Sequence, residues 1–335
     1  MKVLVTGGGG FLGKYVVRAF LRRGDQVRTF SRGLYPELQE LGVECFRGDL
    51  THYDDVLSAV DGVDSVHHVA AQPGFWGPKS MYWGPNVTGT ENVIRACREK
   101  GVKRLIFTSS PSVVFGDEPH DGADESLPYP ESYLCHYPAS KAKAEQLVLA
   151  AHEIGVLHTI ALRPHLIWGP GDPNLIPRVV EMAKKKKLMQ VGDGKNLVSV
   201  VYVENAAQAQ LVADEALQEK PQSSGGEAYF VAQEHPVYLW EFISQILEGL
   251  NVPKPTRTVS YSKAKNIGAV LETVHKALFL PGEPRMTRFV AAQLGTSHWY
   301  KIDKAKKKLG FHPEISTEEG LKILLEDLRK TLITQ

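Results

Sequence analysis

Short apolar runs rich in β-branched residues alternate with helical patterns through the first half of the chain. This alternation is typical of βαβ units, whose strands form a parallel sheet. It predicts strands at residues 1–5, 26–30, 45–47, 63–69, 104–108 and 158–163. It also predicts helices at residues 14–23, 53–60, 86–100 and 140–152.

The pattern becomes less regular after Pro164. Residues 168–173 are rich in proline and glycine, and such loops lie at the strand ends where α/β sheets bind ligands. Residues 197–203 are expected to be a last strand that returns to the sheet, followed by helices at 206–216, 239–250 and from 317. The sequence therefore predicts an α/β fold with a Rossmann-type doubly wound parallel sheet (residues 1–165 plus about 197–225). A smaller, mostly C-terminal substrate-binding domain would comprise residues from about 166 to 196 plus 226–335.

The net charge is only +1, so the chain has no overall field that would attract nucleic acid. Its 3 cysteines lack the spacing of a disulfide framework or a metal site. No signal-peptide pattern precedes the first glycines, and we expect a cytoplasmic protein without a metal. The apolar stretch 267–281 contains Glu272, His275 and Lys276 and is too short to span a bilayer. We expect a lid or an amphipathic helix there, and peripheral membrane contact stays open.

Glycines occupy positions 7–10 and 13, after the first predicted strand and at the start of the first predicted helix. This is the context of a dinucleotide-binding fingerprint. Glycine lets a pyrophosphate approach bare amides, and the helix N-terminus adds unpaired N–H groups and the positive end of its dipole. The run fits Gly8, Gly10 and Gly13 as GxGxxG and also Gly7, Gly10 and Gly13 as GxxGxxG. The glycines alone therefore leave both variants open.

Ser31 and Arg32 follow the second predicted strand, where an NAD-selective site would have an acidic residue for the ribose 2′-hydroxyl. A hydroxyl beside a guanidinium suits a phosphate instead, because arginine pairs with two phosphate oxygens. We therefore predict a preference for NADP(H), with NAD(H) possible. Asp49 follows the third strand and either accepts a hydrogen bond from adenine or caps the next helix.

Tyr137 and Lys141 lie four residues apart, so on a helix they share one face. An unperturbed tyrosine titrates near 10 and needs a neighbouring positive charge to exchange protons at neutral pH. Lys141 supplies that charge and can also donate to the ribose hydroxyls beside the nicotinamide. Ser110 follows the predicted strand 104–108 and could donate to the same substrate carbonyl oxygen. These residues indicate reduction of a ketone or oxidation of the alcohol.

The chain resembles the extended short-chain dehydrogenase/reductase superfamily in segments that fall in family order along most of its length. They are TGGGGFLG (6–13), GDL (48–50), NVTGT (86–90), TSSPSVVFG (108–116), YPASK (137–141) and LRPHLIWGPGD (162–172). The segments DESLPY (124–129), LPGEPRMTRF (280–289) and TSHWY (296–300) make the 3β-hydroxysteroid dehydrogenase branch more similar than the sugar-nucleotide branch.

This resemblance implies that Tyr137 is the acid/base, Lys141 its pKa-lowering partner and Ser110 the second hydrogen-bond donor. It also places Asn86 near the active site. The segment that ends at Gly116 is one residue longer than in sugar epimerases, so Ser109 and Ser112 stay open as alternatives to Ser110. With the spacing of Gly7, Gly10 and Gly13, the implied cofactor contacts are Gly7, Gly10, Phe11, Leu12, Gly13, Ser31, Arg32, Asp49, Leu50, Ala70, Tyr137, Lys141 and Pro164.

Within this branch, the chain is most similar to bacterial reductases that convert a 2-alkyl-3-oxoalkanoate, a β-keto acid, to the 3-hydroxy acid with NADPH. The resemblance implies an apolar ketone or alcohol substrate, a homodimer and association with other enzymes of the same pathway. Aromatic residues could line such a site or serve only in packing: Phe75, Trp76, Trp83, Phe115 and Trp168. Three alternatives stay open: a 3β-hydroxysteroid or sterol dehydrogenase, a nucleotide-sugar epimerase or dehydratase, and a non-catalytic NADP-binding protein.

Overall fold

The computed structural model describes residues 1–333, so the last two residues of the predicted substrate-binding domain lie outside the described part. The strands are β1 Lys2–Thr6, β2 Gln26–Ser31, β3 Glu44–Arg47, β4 Ser65–His68, β5 Arg104–Thr108, β6 His120–Ala123, β7 His158–Pro164, β8 Ile167–Trp168, β9 Gln190–Val191, β10 Leu197–Val198, β11 Val201–Tyr202, β12 Glu227–Val231, β13 Val237–Tyr238, β14 Thr258–Val259 and β15 His298–Tyr300. The α-helices are α1 Phe11–Arg22, α2 Pro36–Gln39, α3 Tyr53–Val60, α4 Lys79–Trp83, α5 Gly89–Lys100, α6 His136–Ala150, α7 Leu175–Lys184, α8 Val203–Glu219, α9 Pro221–Ser224, α10 Leu239–Gly249, α11 Tyr261–Ala277, α12 Arg288–Gly295, α13 Asp303–Leu309 and α14 Thr317–Ile333. A π-helical turn spans Gly84–Thr88, and a 3-10 turn spans Pro111–Val113.

Seven strands form one parallel sheet in the order β12-β7-β5-β4-β1-β2-β3. The strand order reverses beside β1, and doubly wound sheets bind ligands in the crevice at such a reversal, beyond the carboxyl ends of the strands. Helices cover both faces, and the β1 residues alternate between the two cores: Val3 and Val5 belong to one and Leu4 to the other. The predicted Rossmann-type α/β fold is confirmed.

The expected last strand at residues 197–203 is wrong. β10 joins a small sheet with β13 and β15, whereas β11 pairs with β8 outside the large sheet. The seventh strand of the large sheet is β12, which pairs with β7. Both segments are short and apolar, so the pattern alone could not choose between them. The predicted domain boundary near residue 225 therefore falls just before a strand of the Rossmann sheet.

Two helix predictions need new starting points. The helix that carries Tyr137 begins at His136 rather than at residue 140, so Pro138 lies in its first turn, where its missing N–H costs no hydrogen bond. The predicted helix 86–100 is regular only from Gly89, because Asn86 lies in the π-helical turn. A wider turn of this kind changes the direction in which Asn86 points.

The predicted apolar stretch 267–281 lies largely in α11. The buried side of α11 packs on the protein through Ala264, Gly268 and Glu272. On its other side Val270 is 62% exposed, and Phe279, just after the helix, is 91% exposed. The expectation of an amphipathic helix therefore agrees with the structure. Within residues 1–333, the helices include none that is long and apolar enough to cross a membrane.

Candidate active site

The glycine loop joins β1 to α1, and two of its glycines have no room for a side chain. Gly7 has a φ of +69°, and a Cβ there would lie 2.8 Å from the Ala70 Cα atom. A Cβ on Gly13 would lie 2.1 Å from the Gly7 carbonyl oxygen, so the first turn of α1 packs directly on the loop. The Gly10 amide donates to that same oxygen at 2.9 Å. The loop geometry is thus compatible with the spacing of Gly7, Gly10 and Gly13, although a Cβ on Gly8 would also lie only 2.4 Å from the Thr29 side chain.

The N-terminus of α1 offers backbone amides to an anion. Gly10 precedes the helix and provides no side-chain cap, and the first turn contains no acidic residue. The backbone amides of the first turn, which includes Phe11 and Leu12, therefore have no hydrogen-bond partner within the helix. They lie at the positive end of the helix dipole, which points at the crevice. Bare glycine backbone beside these amides forms a cradle that fits the pyrophosphate of a dinucleotide.

The end of β2 carries the two residues on which the predicted preference for NADP(H) rests. The Ser31 hydroxyl is buried and has no hydrogen-bond partner among residues 1–333. Arg32 follows it and is exposed to solvent. A buried hydroxyl normally has a partner, so the Ser31 hydroxyl is an unsatisfied donor beside Arg32 at the end of this strand.

Asp49 lies in the loop after β3 and does not cap α3. Its Oδ1 atom accepts hydrogen bonds from the Thr51 amide and hydroxyl, both at 2.8 Å, and these bonds lower the pKa of its carboxyl group. His52 occupies the cap position of α3. The helix-cap alternative is therefore wrong, and an adenine contact stays a prediction. Leu50 is buried beside it.

Ala70 and Pro164 lie at the carboxyl ends of two strands of the large sheet, just after β4 and at the end of β7. Ala70 follows β4 and contacts Gly7 of the glycine loop. Pro164 is the last residue of β7, where it pairs in register with Val231 of β12. Both residues lie at the carboxyl edge that borders the crevice, which is compatible with their predicted cofactor contacts.

Ser110 and Tyr137 meet where β5 and the first turn of α6 approach each other. Burial raises the pKa of Tyr137 to about 12, and the interaction with the Ser110 hydroxyl partly offsets this shift. The Ser110 Oγ atom also accepts from the Ser112 hydroxyl at 2.9 Å and from the Ser112 amide at 3.2 Å. The Ser109 hydroxyl is buried without a partner in the described part of the chain. Of the three serines, Ser110 is the one that the structure places against Tyr137.

Lys141 is 2% exposed and lies one turn after Tyr137 on α6. Its Nζ atom donates to the Thr108 carbonyl oxygen at 2.6 Å and lies 4.0 Å from the centre of the Phe107 ring. Burial lowers the pKa of Lys141 to about 7, although the Glu145 carboxylate counteracts the shift. This amine can therefore gain or lose a proton near neutral pH.

Asn86 connects the loop after β4 to α6. Its Nδ2 atom donates to the Ser140 hydroxyl at 2.9 Å and to the Gln72 carbonyl oxygen at 3.1 Å. Its Oδ1 atom accepts from the Gln72 amide at 2.7 Å. The Ser140 hydroxyl in turn donates to the Tyr137 carbonyl oxygen at 2.8 Å. Asn86 is thus buried and is linked to Tyr137 only through Ser140. It supports the first turn of α6 and does not face the phenol.

Aromatic rings extend from the site toward α12. Phe75 stacks on Phe289 at 5.4 Å between ring centres, and Phe289 meets Phe115 edge-on at 6.3 Å. Cys135, two residues before Tyr137, packs against this cluster. Trp168 was a candidate for the same wall but is completely buried in another core with Tyr202 and Phe242, so its role is packing.

The other two aromatic candidates lie near the loop after β4. The Trp76 ring packs beside His275 of α11 at 6.0 Å between ring centres, and its carbonyl oxygen accepts from the Tyr82 hydroxyl at 2.7 Å. The Tyr82 ring lies 6.4 Å from that of Tyr137. Trp83 ends α4, where the Lys79 ammonium lies 4.2 Å from the centre of its ring.

Sequence reasoning missed the buried ion pair beneath the site. The Arg163 guanidinium binds Glu145 through three hydrogen bonds of 2.6, 3.0 and 3.2 Å, and the Tyr129 hydroxyl donates to the same carboxylate at 2.7 Å. Glu145 follows Lys141 by four residues on α6, so the helical spacing could have identified it as a neighbour of that lysine. Arg163 precedes Pro164, and only the fold brings it to Glu145.

The crevice at the sheet reversal, the GxxGxxG loop and the Tyr-x-x-x-Lys pair on one helix define an extended short-chain dehydrogenase/reductase. The model of the 3-beta hydroxysteroid dehydrogenase/isomerase family matches residues 4–261. The chain belongs to this family and is an oxidoreductase.

Relatives and solved structures match almost the whole chain. A 2-alkyl-3-oxoalkanoate reductase from Stenotrophomonas maltophilia (strain K279a) is 47% identical over 327 residues, which cover 97% of this chain and 98% of the relative. A decarboxylating sterol-4-alpha-carboxylate 3-dehydrogenase from Mus musculus is 35% identical over 96% of this chain and 89% of its own. The structure of MoeE5 in complex with UDP-glucose and NAD superimposes with a TM-score of 0.75 at 25% identity, covering 99% of this chain and 100% of that one. A nicotinamide dinucleotide is therefore the cofactor class of this fold and family.

Proposed function

We propose that this protein reduces a 2-alkyl-3-oxoalkanoate to the corresponding 3-hydroxy acid with NADPH. The observation that carries the proposal is the Ser110 hydroxyl against the Tyr137 phenol, at the carboxyl edge of a dinucleotide-binding sheet. The 47% identity to a 2-alkyl-3-oxoalkanoate reductase over nearly the full length supports the substrate class.

Tyr137 is suited to give a proton to a ketone oxygen. Because burial raises its pKa to about 12, the phenol carries its proton at neutral pH. Ser110 offers a second hydrogen bond to the oxygen as negative charge develops on it. A reduced nicotinamide supplies the hydride for the carbonyl carbon. The proton from Tyr137 then completes the secondary alcohol.

Lys141 does not lower the pKa of Tyr137 as the resemblance implied, because burial raises that pKa, and Lys141 has a separate role in this proposal. With a pKa of about 7, its amine holds or releases a proton one helical turn from the phenol. Glu145 and the Thr108 carbonyl oxygen stabilise its charged form. Asn86 is a positioning residue, because it acts on α6 through Ser140.

The preference for NADPH rests on the end of β2. The buried Ser31 hydroxyl lacks a partner among the described residues, and Arg32 beside it forms no ion pair within them. A 2′-phosphate would satisfy both groups, whereas the 2′-hydroxyl of NADH would leave the guanidinium without an anion.

Phe115 and Phe289 are buried and serve packing, whereas the Phe75 ring, which stacks on Phe289 and is 37% exposed, suits an apolar substrate. A sterol is the second candidate, because the mouse sterol dehydrogenase is 35% identical to this chain. A cytoplasmic location, a homodimer and association with enzymes of the same pathway are also parts of this proposal. The free thiols of Cys45, Cys97 and Cys135 suit a reducing compartment.

The test is to follow NADPH oxidation with a 2-alkyl-3-oxoalkanoate and with a 3-ketosteroid and, in parallel, to follow the conversion of UDP-glucose in the presence of NAD⁺ by product analysis, because UDP-glucose has no ketone for NADPH to reduce. We expect turnover with the oxoacid and a kcat/KM for the other two at least about 100-fold lower, since poor pocket fit costs several kcal/mol of transition-state binding. Equal or greater activity with the steroid would favour the sterol alternative. Activity with UDP-glucose alone would contradict the proposal.

A further inference from the structure

Arg47 ends β3 directly beside the end of β2. In the parallel pairing of these strands, Arg47 stands opposite Ser31. Its Nε atom donates to the Arg32 carbonyl oxygen at 3.1 Å. The Gly48 amide donates to the Ser31 carbonyl oxygen at 3.1 Å and holds the two strand ends together. The guanidinium of Arg47 is therefore fixed next to Ser31 and Arg32.

This strand edge combines positive charge with an unused hydroxyl. Arg32 and Arg47 are exposed, and neither forms an ion pair with any residue in the range 1–333. Asp49 lies close enough for Arg32 to contribute to its lowered pKa, but its Oδ1 atom is engaged by Thr51. Two exposed arginines and a buried hydroxyl without a partner in the described part of the chain thus occupy the neighbouring ends of β2 and β3.

A phosphate monoester matches this set of donors. It carries close to two negative charges at neutral pH and three acceptor oxygens. One arginine would neutralise only part of this charge, and a hydroxyl alone would neutralise none. The Nε atom of Arg47 is already used, and its two terminal nitrogens, which make no hydrogen bond within residues 1–333, remain as donors for an anion.

We propose that Arg47 is a specificity residue that binds the 2′-phosphate of NADP(H) together with Arg32 and Ser31. The inference rests on the cofactor preference in the proposed function and adds a donor from a different strand. It makes phosphate recognition depend on the β2–β3 pairing, not only on the loop after β2.

A purely structural role for Arg47 makes a different prediction. If its hydrogen bond to Arg32 only held the turn, its loss would weaken NADPH and NADH equally, because both share the rest of the adenosine. If it binds the phosphate, only NADPH is affected. The comparison of the two cofactors therefore separates the two roles.

The experiment titrates the purified protein with NADPH and with NADH in the absence of a ketone and follows cofactor fluorescence. The variants are Arg47→Ala, Arg32→Ala and the control Arg22→Ala, which removes a 64% exposed arginine side chain at the far end of α1. We expect Arg47→Ala to weaken NADPH binding about 10- to 100-fold, as loss of a charge-assisted hydrogen bond predicts. NADH binding should change less than about twofold, and Arg22→Ala should change neither.

Three outcomes separate this inference from the proposed function. Weaker NADPH binding in both Arg32→Ala and Arg47→Ala supports both. An effect of Arg32→Ala alone overturns the role of Arg47 and leaves the cofactor preference intact. Equal affinities of the unsubstituted protein for NADPH and NADH would overturn both, whatever the enzyme reduces.

Discussion

At the scale of single residues, the proposed chemistry depends on a phenol kept in its protonated form. Tyr137 lies in the first turn of α6 against Ser110, and burial holds its pKa well above neutral. The neighbouring Lys141 is almost completely buried, and its pKa is lowered to about 7. The two groups therefore differ in protonation behaviour, with a firmly protonated acid beside an amine that titrates near neutrality.

Removing only the Tyr137 hydroxyl tests its role. We expect Tyr137→Phe to lower kcat for ketone reduction about 100-fold or more, since the proton donor is lost. NADPH binding should change little, because the ring is retained. The control is Tyr229→Phe on β12, which removes a buried phenol hydroxyl that donates to the Ser224 carbonyl oxygen at the end of α9, away from the site. Steady-state kinetics and cofactor titration check both variants, and substantial residual turnover in Tyr137→Phe would refute the assignment.

At the scale of elements, the β1–α1 unit shows how close packing produces the cofactor cradle. Gly13 brings the first turn of α1 within contact of the Gly7 carbonyl oxygen. This approach leaves the first amides of α1 open at the crevice. The same glycine thus serves packing and binding together.

Adding a methyl group at Gly13 should push the glycine loop and the first turn of α1 apart. A Cβ at this position would lie 2.1 Å from the Gly7 oxygen, so Gly13→Ala must displace the loop or the helix. We expect a loss of about 1–3 kcal/mol in unfolding free energy, as overpacking predicts, together with loss of measurable NADPH binding. The control is Gly84→Ala, whose Cβ would lie 3.5 Å from Thr51 in ordinary contact. Denaturant unfolding and cofactor titration measure both effects; unchanged NADPH affinity in Gly13→Ala would contradict this account of the loop.

At the scale of the whole molecule, a buried carboxylate joins elements far apart in the chain. Asp214 of α8 is completely buried, and it accepts hydrogen bonds from Arg104 at 2.8 Å and from Arg23 at 3.1 Å. These partners lie at the start of β5 and just after α1. Burial alone would raise the pKa of Asp214, but His67 and Arg104 outweigh it and hold this pKa well below its usual range.

Asp214→Asn should destabilise the fold by about 3–5 kcal/mol at pH 7, because it leaves the buried Arg104 guanidinium without its counter-charge, whereas Arg23 keeps Asp25 and Glu215. Since the folded pKa is lowered, the stabilisation is present above the usual carboxyl value near 3.9 and is lost as the pH falls below it. The difference in unfolding free energy between the unsubstituted protein and Asp214→Asn should therefore be smaller at about pH 3 than at pH 7. The control Glu215→Gln, an exposed partner of Arg23, should cost less than about 1 kcal/mol. Urea unfolding at both pH values measures these free energies. A difference between the unsubstituted protein and Asp214→Asn that does not change with pH would contradict this role of the Asp214 charge.

Local pattern and motif carried the prediction of the Rossmann sheet, the glycine loop and the Tyr137–Lys141 pair, because their chemistry lies within one βα unit or one helix. The choice of β12 over residues 197–203 as the seventh strand depends on tertiary packing, which a short apolar run does not encode. The pair of Arg163 and Glu145 and the place of Trp168 in a core likewise depend on contacts between distant segments. Arg47 was visible in the sequence, but only the strand register brings it opposite Ser31.

The central claim is that this protein delivers a hydride and a proton to the 3-oxo group of a 2-alkyl-3-oxoalkanoate. Its most direct test is to incubate the protein with that acid and NADPH deuterated at nicotinamide C4, on each face in turn, and analyse the product by mass spectrometry. We predict one 3-hydroxy acid for each NADPH oxidised, with deuterium on carbon 3 from one face only. NADPH that stays unoxidised, or a product without deuterium from either face, would contradict the claim.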